Sequence, residues 1–133
     1  MKMVADILKL LADPTRLRIL MVLSKKELCV CQIMGVLEVS QSLVSKNLRL
    51  LDAAGFLRER KEGKLVFYSL RGDLPVLHRR LIAVLTESLA KNRVLTGDLK
   101  SLRDCEEFQK RTGKCDMKTF GEFMSRNKQR KTA

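Results

Sequence analysis

Apolar residues recur at intervals of three and four along the start of the chain, which is the spacing of amphipathic helices. The first helix is predicted by Val4, Ile7, Leu8 and Leu11, and a second, more heavily buried one by Leu17, Ile19, Leu20, Met21 and Leu23. Between them, Asp13 can act as an N-cap, and the fixed φ of Pro14 suits the first position of a helix. The chain is therefore predicted to open with two helices that meet at Asp13.

Two further helices are predicted between residues 28 and 55. The third begins near Leu28 or Cys29 and ends around Gly35–Leu37. Ser40 is a good N-cap for the fourth, whose inner face carries Val44, Leu48 and Leu51. Gly55 can adopt the left-handed conformation that often ends a helix.

The opposite face of the fourth helix is polar. It carries Gln41, Ser42, Ser45, Lys46 and Arg49, and Asn47 is assigned to the same set. These residue types reach base edges and phosphates, and no acidic residue occurs in the helix before Asp52. Two helices joined by a tight turn, the second with such a face, are typical of a helix-turn-helix that binds DNA. An ordinary solvated helix face is the alternative interpretation.

Residues 56–70 change to a strand pattern. The second half is rich in β-branched and aromatic residues, and Glu62-Gly63 favours a turn, so a β-hairpin is predicted. Four basic residues lie on its arms and tip: Arg58, Arg60, Lys61 and Lys64. A basic hairpin after a helix-turn-helix is typical of a wing that lies along the phosphate backbone, although charge can also simply protect a strand edge from aggregation.

A long helix is predicted to begin at Asp73. Its apolar stripe comprises Leu74, Leu77, Leu81, Val84, Leu85 and Leu89. We expect it to form a homodimer interface together with the N-terminal helix, because a small single core has little room for so apolar a helix. Packing within one subunit is the alternative.

Beyond the long helix, Thr96-Gly97-Asp98 is expected to break the pattern. Leu99, Leu102 and Phe108 then predict another helix that stops at Gly113, and Phe120, Phe123 and Met124 predict a final one. We expect a DNA-binding and dimerisation domain over residues 1–95, a helical extension over 96–125 and a disordered basic tail over 126–133. The predicted fold class is mainly α with a small β-hairpin wing.

Composition supports a polyanionic partner. The 133 residues include 27 Lys and Arg against 15 Asp and Glu, for a net charge of +12. Such a surface releases counterions when it meets the phosphates of double-stranded DNA. No apolar run approaches the roughly 18 residues that span a bilayer. We expect a cytoplasmic protein without a membrane partner, in which the four Cys are thiols.

Four segments in order resemble the ArsR/SmtB family of winged-helix metal-responsive repressors. They are residues 11–20 (LADPTRLRIL), 27–31 (ELCVC), 39–45 (VSQSLVS) and 54–57 (AGFL). The resemblance covers about residues 3–93. It implies a homodimer that binds operator DNA when ligand-free and releases it when a metal or metalloid binds. Lys46-Asn47 stands where many members carry His, which leaves the operator sequence open.

The ELCVC segment is similar to the arsenite-binding segment of arsenical-resistance repressors, and a related form serves cadmium- and lead-responsive ones. Thiolates of Cys29 and Cys31 suit soft ions, and a helix N-terminus favours the thiolate. In a regular helix, residues two apart point about 200° from each other. We therefore expect that binding by both sulfurs reshapes this helical turn and disturbs the neighbouring DNA-reading helix. Simple packing of two small residues is the alternative.

A trigonal arsenite site needs a third sulfur. In one version of the site the third thiol lies three residues after the second, where this chain has Met34, a weak donor. Cys105 or Cys115 could complete the site from its own subunit or from the partner, and Cys105 is preferred. The two could instead form a second site or a redox pair with each other, or simply pack.

The sequence favours arsenite or antimonite over other inducers and functions. His78 is the sole His, so the family's zinc- and cobalt-type site is not expected, and His78 is expected to be a surface or interface residue. No Cys precedes Cys29, which makes cadmium or lead a lesser option. A redox-responsive repressor of the same fold is a further alternative. A thiol enzyme is disfavoured by the absence of CxxC and of a phosphate-cradling loop, and no organic cofactor is expected.

Overall fold

The computed structural model describes residues 1–112 of the chain. Its elements in chain order are α1 (Lys2–Leu11), α2 (Pro14–Leu23), β1 (Leu28–Cys29), α3 (Val30–Leu37), α4 (Gln41–Ala53), β2 (Leu57–Glu62), β3 (Leu65–Leu70), α5 (Val76–Ser88) and α6 (Arg93–Thr112). The predicted fold class is confirmed: the described chain is mainly helical, with a small antiparallel sheet that contains the hairpin.

Helices α2 and α4 begin at the N-caps predicted from the sequence. A carboxylate oxygen of Asp13 accepts from the backbone N–H of Arg16 at 3.0 Å, with Pro14 at the first helical position. The hydroxyl of Ser40 accepts from the N–H of Leu43 at 3.3 Å. Ile19, Leu20 and Val22 of α2 are fully buried at the centre of the core. Helix α2 packs against both α3 and α4, so this core fixes the position of the two helices.

The ELCVC segment differs from the prediction. Leu28 and Cys29 do not start a helix but form the short strand β1, and α3 begins at Val30. The sheet order is β1-β3-β2, with Leu28 opposite Tyr68 and Cys29 opposite Phe67. The hairpin itself follows the prediction, with Gly63 at its turn in a left-handed conformation (φ 59°). The hairpin, β2 and β3, is the predicted wing, and β1 with Cys29 adds a third strand to its sheet.

The predicted long helix is shorter than expected. Pro75 is its N-cap, and α5 begins at Val76 rather than at Asp73. The residue before a proline is disfavoured in the α region, which keeps Leu74 outside the helix. Leu89 lies at the other end as the C-cap.

The predicted break at Thr96-Gly97-Asp98 was wrong. These residues lie within α6, which starts after Asn92, whose side chain accepts from the N–H of Leu95 at 3.2 Å. Leu95, Leu102, Cys105 and Phe108 of α6 are buried against the rest of the chain. The predictions on Cys115, on Gly113 as a helix stop, on the helix around Phe120 and on the basic tail fall outside the described residues. Among the residues described, no helix is long and apolar enough to cross a bilayer.

Candidate thiol site and nucleic-acid interface

The outer face of α4 is available to solvent. Val44, Leu48 and Leu51 are at most 1% exposed and fix the helix on the core. The exposed residues among those predicted to contact DNA are Gln41, Ser42, Lys46 and Arg49, while Ser45 is half-buried. A single helix thus presents hydrogen-bonding and cationic side chains outward along one stripe, as base and phosphate readout requires.

Asn47 does not belong to this stripe. Its side chain is 2% exposed, and its amide oxygen accepts from Arg16 Nε at 3.0 Å. Arg16 also donates to the carbonyl of Leu10 at 2.7 Å, so it joins the end of α1 to the middle of α4. The sequence carried the signal, because Asn47 is three residues after Val44 and four before Leu51 and so shares their buried face.

The wing residues predicted to contact DNA are all exposed, but Arg60 differs from Arg58, Lys61 and Lys64 in its partners. Its guanidinium forms ion pairs with Glu27 at 2.7 Å and with Glu62 at 2.8 Å. The hydrogen bond from Arg60 lowers the pKa of the Glu27 carboxyl, and the two carboxylates raise the pKa of Arg60. Arg60 is therefore already engaged in the DNA-free protein.

Cys29 lies at the junction of β1 and α3. Its thiol is 1% exposed, and its backbone is extended (φ −90°, ψ 169°) at the N-cap position. Gln32 Oε1 accepts from the N–H of Cys29 at 2.8 Å, and the Cys29 sulfur accepts in turn, more weakly, from the N–H of Gln32. The helix N-terminus is thus capped by the residue that would supply a ligand.

Cys31 lies one residue inside α3 and is half-buried. Because Cys29 is outside the helix, the 200° separation expected for two helical residues does not apply to this pair. Met34, on the next turn, is also half-buried and packs against the core. The thiol segment, residues 27–31, therefore combines an extended cysteine and a helical one.

Cys105 comes to the same region from α6. This helix packs on α3, where Gln109 Oε1 accepts from Gln32 Nε2 at 2.8 Å. Its Glu106 also pairs at 3.4 Å with Lys26, which lies between α2 and β1. Cys105 is 1% exposed, and its burial, followed by its electrostatic interaction with Cys29, raises its pKa to about 12. At neutral pH the thiol of Cys105 is thus protonated and must lose its proton before it can bind an ion.

The donor set fits a soft thiophilic ion, since Cys29 and Cys31 are neighbours and Cys105 lies on the helix packed against them. Within residues 1–112, however, no three His, Cys, Asp or Glu side chains are already arranged to hold a metal ion. The sulfurs would therefore have to move toward one another to share an ion.

His78 is buried within the described chain, whereas a surface or interface position was predicted. It is 4% exposed, its Nε2 lies 2.7 Å from the carbonyl oxygen of Ala54, and its ring lies 4.4 Å from that of Phe56. Through these contacts, α5 packs against the turn that follows α4. His78 therefore helps to fix the C-terminal end of α4.

Comparisons with known proteins agree with this architecture. Residues 13–59 match the family described as bacterial regulatory protein, arsR family. The arsenic resistance transcriptional regulator ArsR2 of Pseudomonas putida is 36% identical over 106 residues, which are 74% of this chain and 92% of that protein. The chain belongs to the ArsR family. The family and this relative are transcription regulators.

Two other matches of this ArsR-family protein cover shorter parts of its chain. A cadmium resistance transcriptional regulatory protein CadC homolog of Staphylococcus aureus is 50% identical over 68 residues, or 50% of this chain and 56% of that one. The chain thus spans little more than half of this relative. Among solved structures, reduced HlyU from Vibrio cholerae aligns with a TM-score of 0.60 and 32% identity, covering 68% of this chain and 92% of that chain.

Proposed function

We propose that this ArsR-family protein is a homodimeric repressor that binds operator DNA when ligand-free and releases it when arsenite or antimonite binds Cys29, Cys31 and Cys105. The exposed stripe of α4 would enter the major groove, and the basic wing would lie along the flanking backbone. The observation that carries the proposal is the position of Cys29, which belongs both to the sheet of the wing and to the start of the helix that precedes α4.

Dimerisation is supported by an apolar surface that one subunit leaves open. Met3, Val4 and Leu8 of α1 and Val76 and Val84 of α5 are each more than a third exposed. Burying these side chains against a second copy would remove them from water. Two reading helices then act on two half-sites of one palindromic operator.

The inducer part of the proposal rests on the chemistry of sulfur. Arsenite and antimonite take three thiolates, and this chain supplies them from β1, α3 and α6. Cys29 would have to give up its capping interaction with Gln32 when its sulfur turns toward Cys31 and Cys105. The start of α3 would then shift against α4, which changes how α4 is presented to DNA. A coupling of about 5- to 150-fold in operator affinity is typical of such linkage.

Operator binding followed by fluorescence anisotropy tests the proposal. Cys29→Ser, Cys31→Ser and Cys105→Ser are expected to bind operator as the wild type does but to lose arsenite-driven release. Cys115→Ser is the control that should release normally. Arsenite-driven release by Cys29→Ser or Cys31→Ser would show that the thiol assignment is wrong.

A second inducer class, cadmium or lead, is favoured by the similarity of 68 residues to the CadC homolog. The same titration with Cd²⁺ and Pb²⁺ distinguishes the two classes, with arsenite expected to act at the lower concentration. Release by peroxide but not by arsenite under reducing conditions would instead indicate a redox switch.

A further inference from the structure

The wing and the thiol segment are one continuous sheet. Cys29 is paired with Phe67 on β3, and Phe67 is paired on its other side with Arg60 of β2. Because β3 is the central strand, the residue that would bind the ion lies two strands away from Arg60 across a single row of backbone pairs. A movement of β1 therefore reaches the wing without passing through α4.

Side-chain contacts of Arg60 also link the strands of this Cys29–Phe67–Arg60 row. Arg60 donates to Glu27 Oε1 through Nη2 at 2.7 Å and through Nε at 3.1 Å. Its guanidinium carbon lies 4.7 Å from the centre of the Phe67 ring. Glu27 directly precedes β1, so Arg60 reaches across Phe67 to hold the start of the thiol segment.

We propose that the Glu27–Arg60 ion pair couples the thiol segment to the wing, so that occupation of the Cys29–Cys31 site changes the position of the wing on DNA. This inference rests on the proposed function. When the Cys29 sulfur turns toward the other thiols, β1 shifts and carries Glu27 away from Arg60. The ligand-free state thus makes a contact that the ligand-bound state lacks, which is the differential contact that allostery requires.

The solvent exposure of the ion pair limits how much it can contribute to the coupling between arsenite and DNA binding. The side chains of Arg60 and Glu27 are 44% and 35% exposed, and such ion pairs are weakened by solvent. The pair should account for a factor of up to about 5 in the coupling. The backbone pairing of β1 with β3 and the contact of α3 with α4 carry the remainder.

Arg60 has two acidic partners, and these give a matched pair of variants. Glu27→Gln breaks the link to the thiol segment. Glu62→Gln also removes one negative charge next to Arg60. It leaves the link to the thiol segment intact, because Glu62 lies on the hairpin itself. Neither side chain is among the residues proposed to bind the inducer or DNA.

Glu27→Gln is expected to weaken operator binding of the ligand-free protein by about 2- to 5-fold and to leave the affinity of the arsenite-loaded protein unchanged. The ratio of the two affinities therefore falls. By linkage, arsenite should bind the DNA-free variant more tightly, and Glu62→Gln should leave the ratio as in the wild type. Arg60→Lys, which keeps the charge but loses the two-pronged contact, should lower the ratio as Glu27→Gln does.

The possible results separate the inference from the proposed function. If arsenite does not release the wild type, the proposed function is wrong. If arsenite releases the wild type and Glu27→Gln keeps the full affinity ratio, or if Glu62→Gln lowers it equally, the ion pair does not couple the two regions. Circular dichroism of the variants checks that each has the wild-type helix content.

Discussion

Arg18 and Asp98, which are 80 residues apart in sequence, are joined by two hydrogen bonds of 2.9 Å. Arg18 Nη2 also donates to the carbonyl of Leu37 at the end of α3, at 3.0 Å. The Asp98 side chain is only 6% exposed. One guanidinium on α2 therefore holds α3 and α6 in place, and α6 is the helix that carries Cys105.

Asp98→Ala is expected to lower the free energy of unfolding by about 2 kcal/mol, because it leaves a partly buried guanidinium without its carboxylate. Urea unfolding measured by circular dichroism gives this value. Glu107→Ala, an exposed acidic residue on the same helix, is the control and should change stability by less than about 0.5 kcal/mol. Equal effects of the two variants would contradict the structural role of Asp98.

The thiol of Cys105 should make stability depend on alkaline pH. Its pKa is raised from the ordinary 9.0 to about 12 in the folded protein, mainly by burial. Above pH 9 the unfolded chain ionises this thiol and the folded protein does not, so stability is lost progressively from pH 9 toward 12. Urea midpoints measured at several pH values should therefore fall less steeply for Cys105→Ala than for the wild type. Parallel slopes would contradict the burial of this thiol.

Substitutions of Arg49 and Asn47 should have different effects, the first on DNA binding and the second on stability. Arg49→Ala removes an exposed cation from α4, so operator affinity should fall at unchanged stability, and the salt dependence of log K should decrease by about 1. Asn47→Ala removes the acceptor of Arg16 and should instead lower the unfolding midpoint. Anisotropy titrations over a range of salt, together with urea unfolding, measure both. A stable Asn47→Ala protein with lost base specificity would show that Asn47 reads DNA after all.

The dimer interface can be tested with two exposed valines. Val84 on α5 is 58% exposed and belongs to the proposed interface, whereas Val94 on α6 is 53% exposed and does not. Val84→Glu should yield a monomer with weakened operator binding, because a charge would be buried against the second copy. Val94→Glu should remain dimeric. Sedimentation equilibrium decides between them, and a dimeric Val84→Glu protein would exclude this face.

The elements predicted best are those whose signals are local. Asp13-Pro14 and Ser40 cap their helices as expected, and the turn at Gly63 joins two strands of the predicted hairpin. Each of these depends on a few neighbouring residues, which the sequence displays directly.

The errors come from contacts between distant parts of the chain. Gly97 favours a break by its local conformational freedom, but the segment is helical in α6, where Asp98 forms a tertiary ion pair with Arg18. Strand β1 has only two residues, and its pairing with β3 stabilises it, which no local pattern reveals. The sequence gives no positional reason to prefer Cys105 as a third ligand, and the packing of α6 on α3 brings it to the thiol segment.

Because α6 packs on α3 of its own chain, the three thiols of the proposed site would all come from one subunit. Each subunit of a dimer would then bind one ion, independently of the other subunit. A mixed dimer that pairs an intact subunit with a thiol-free one should still take up a single equivalent.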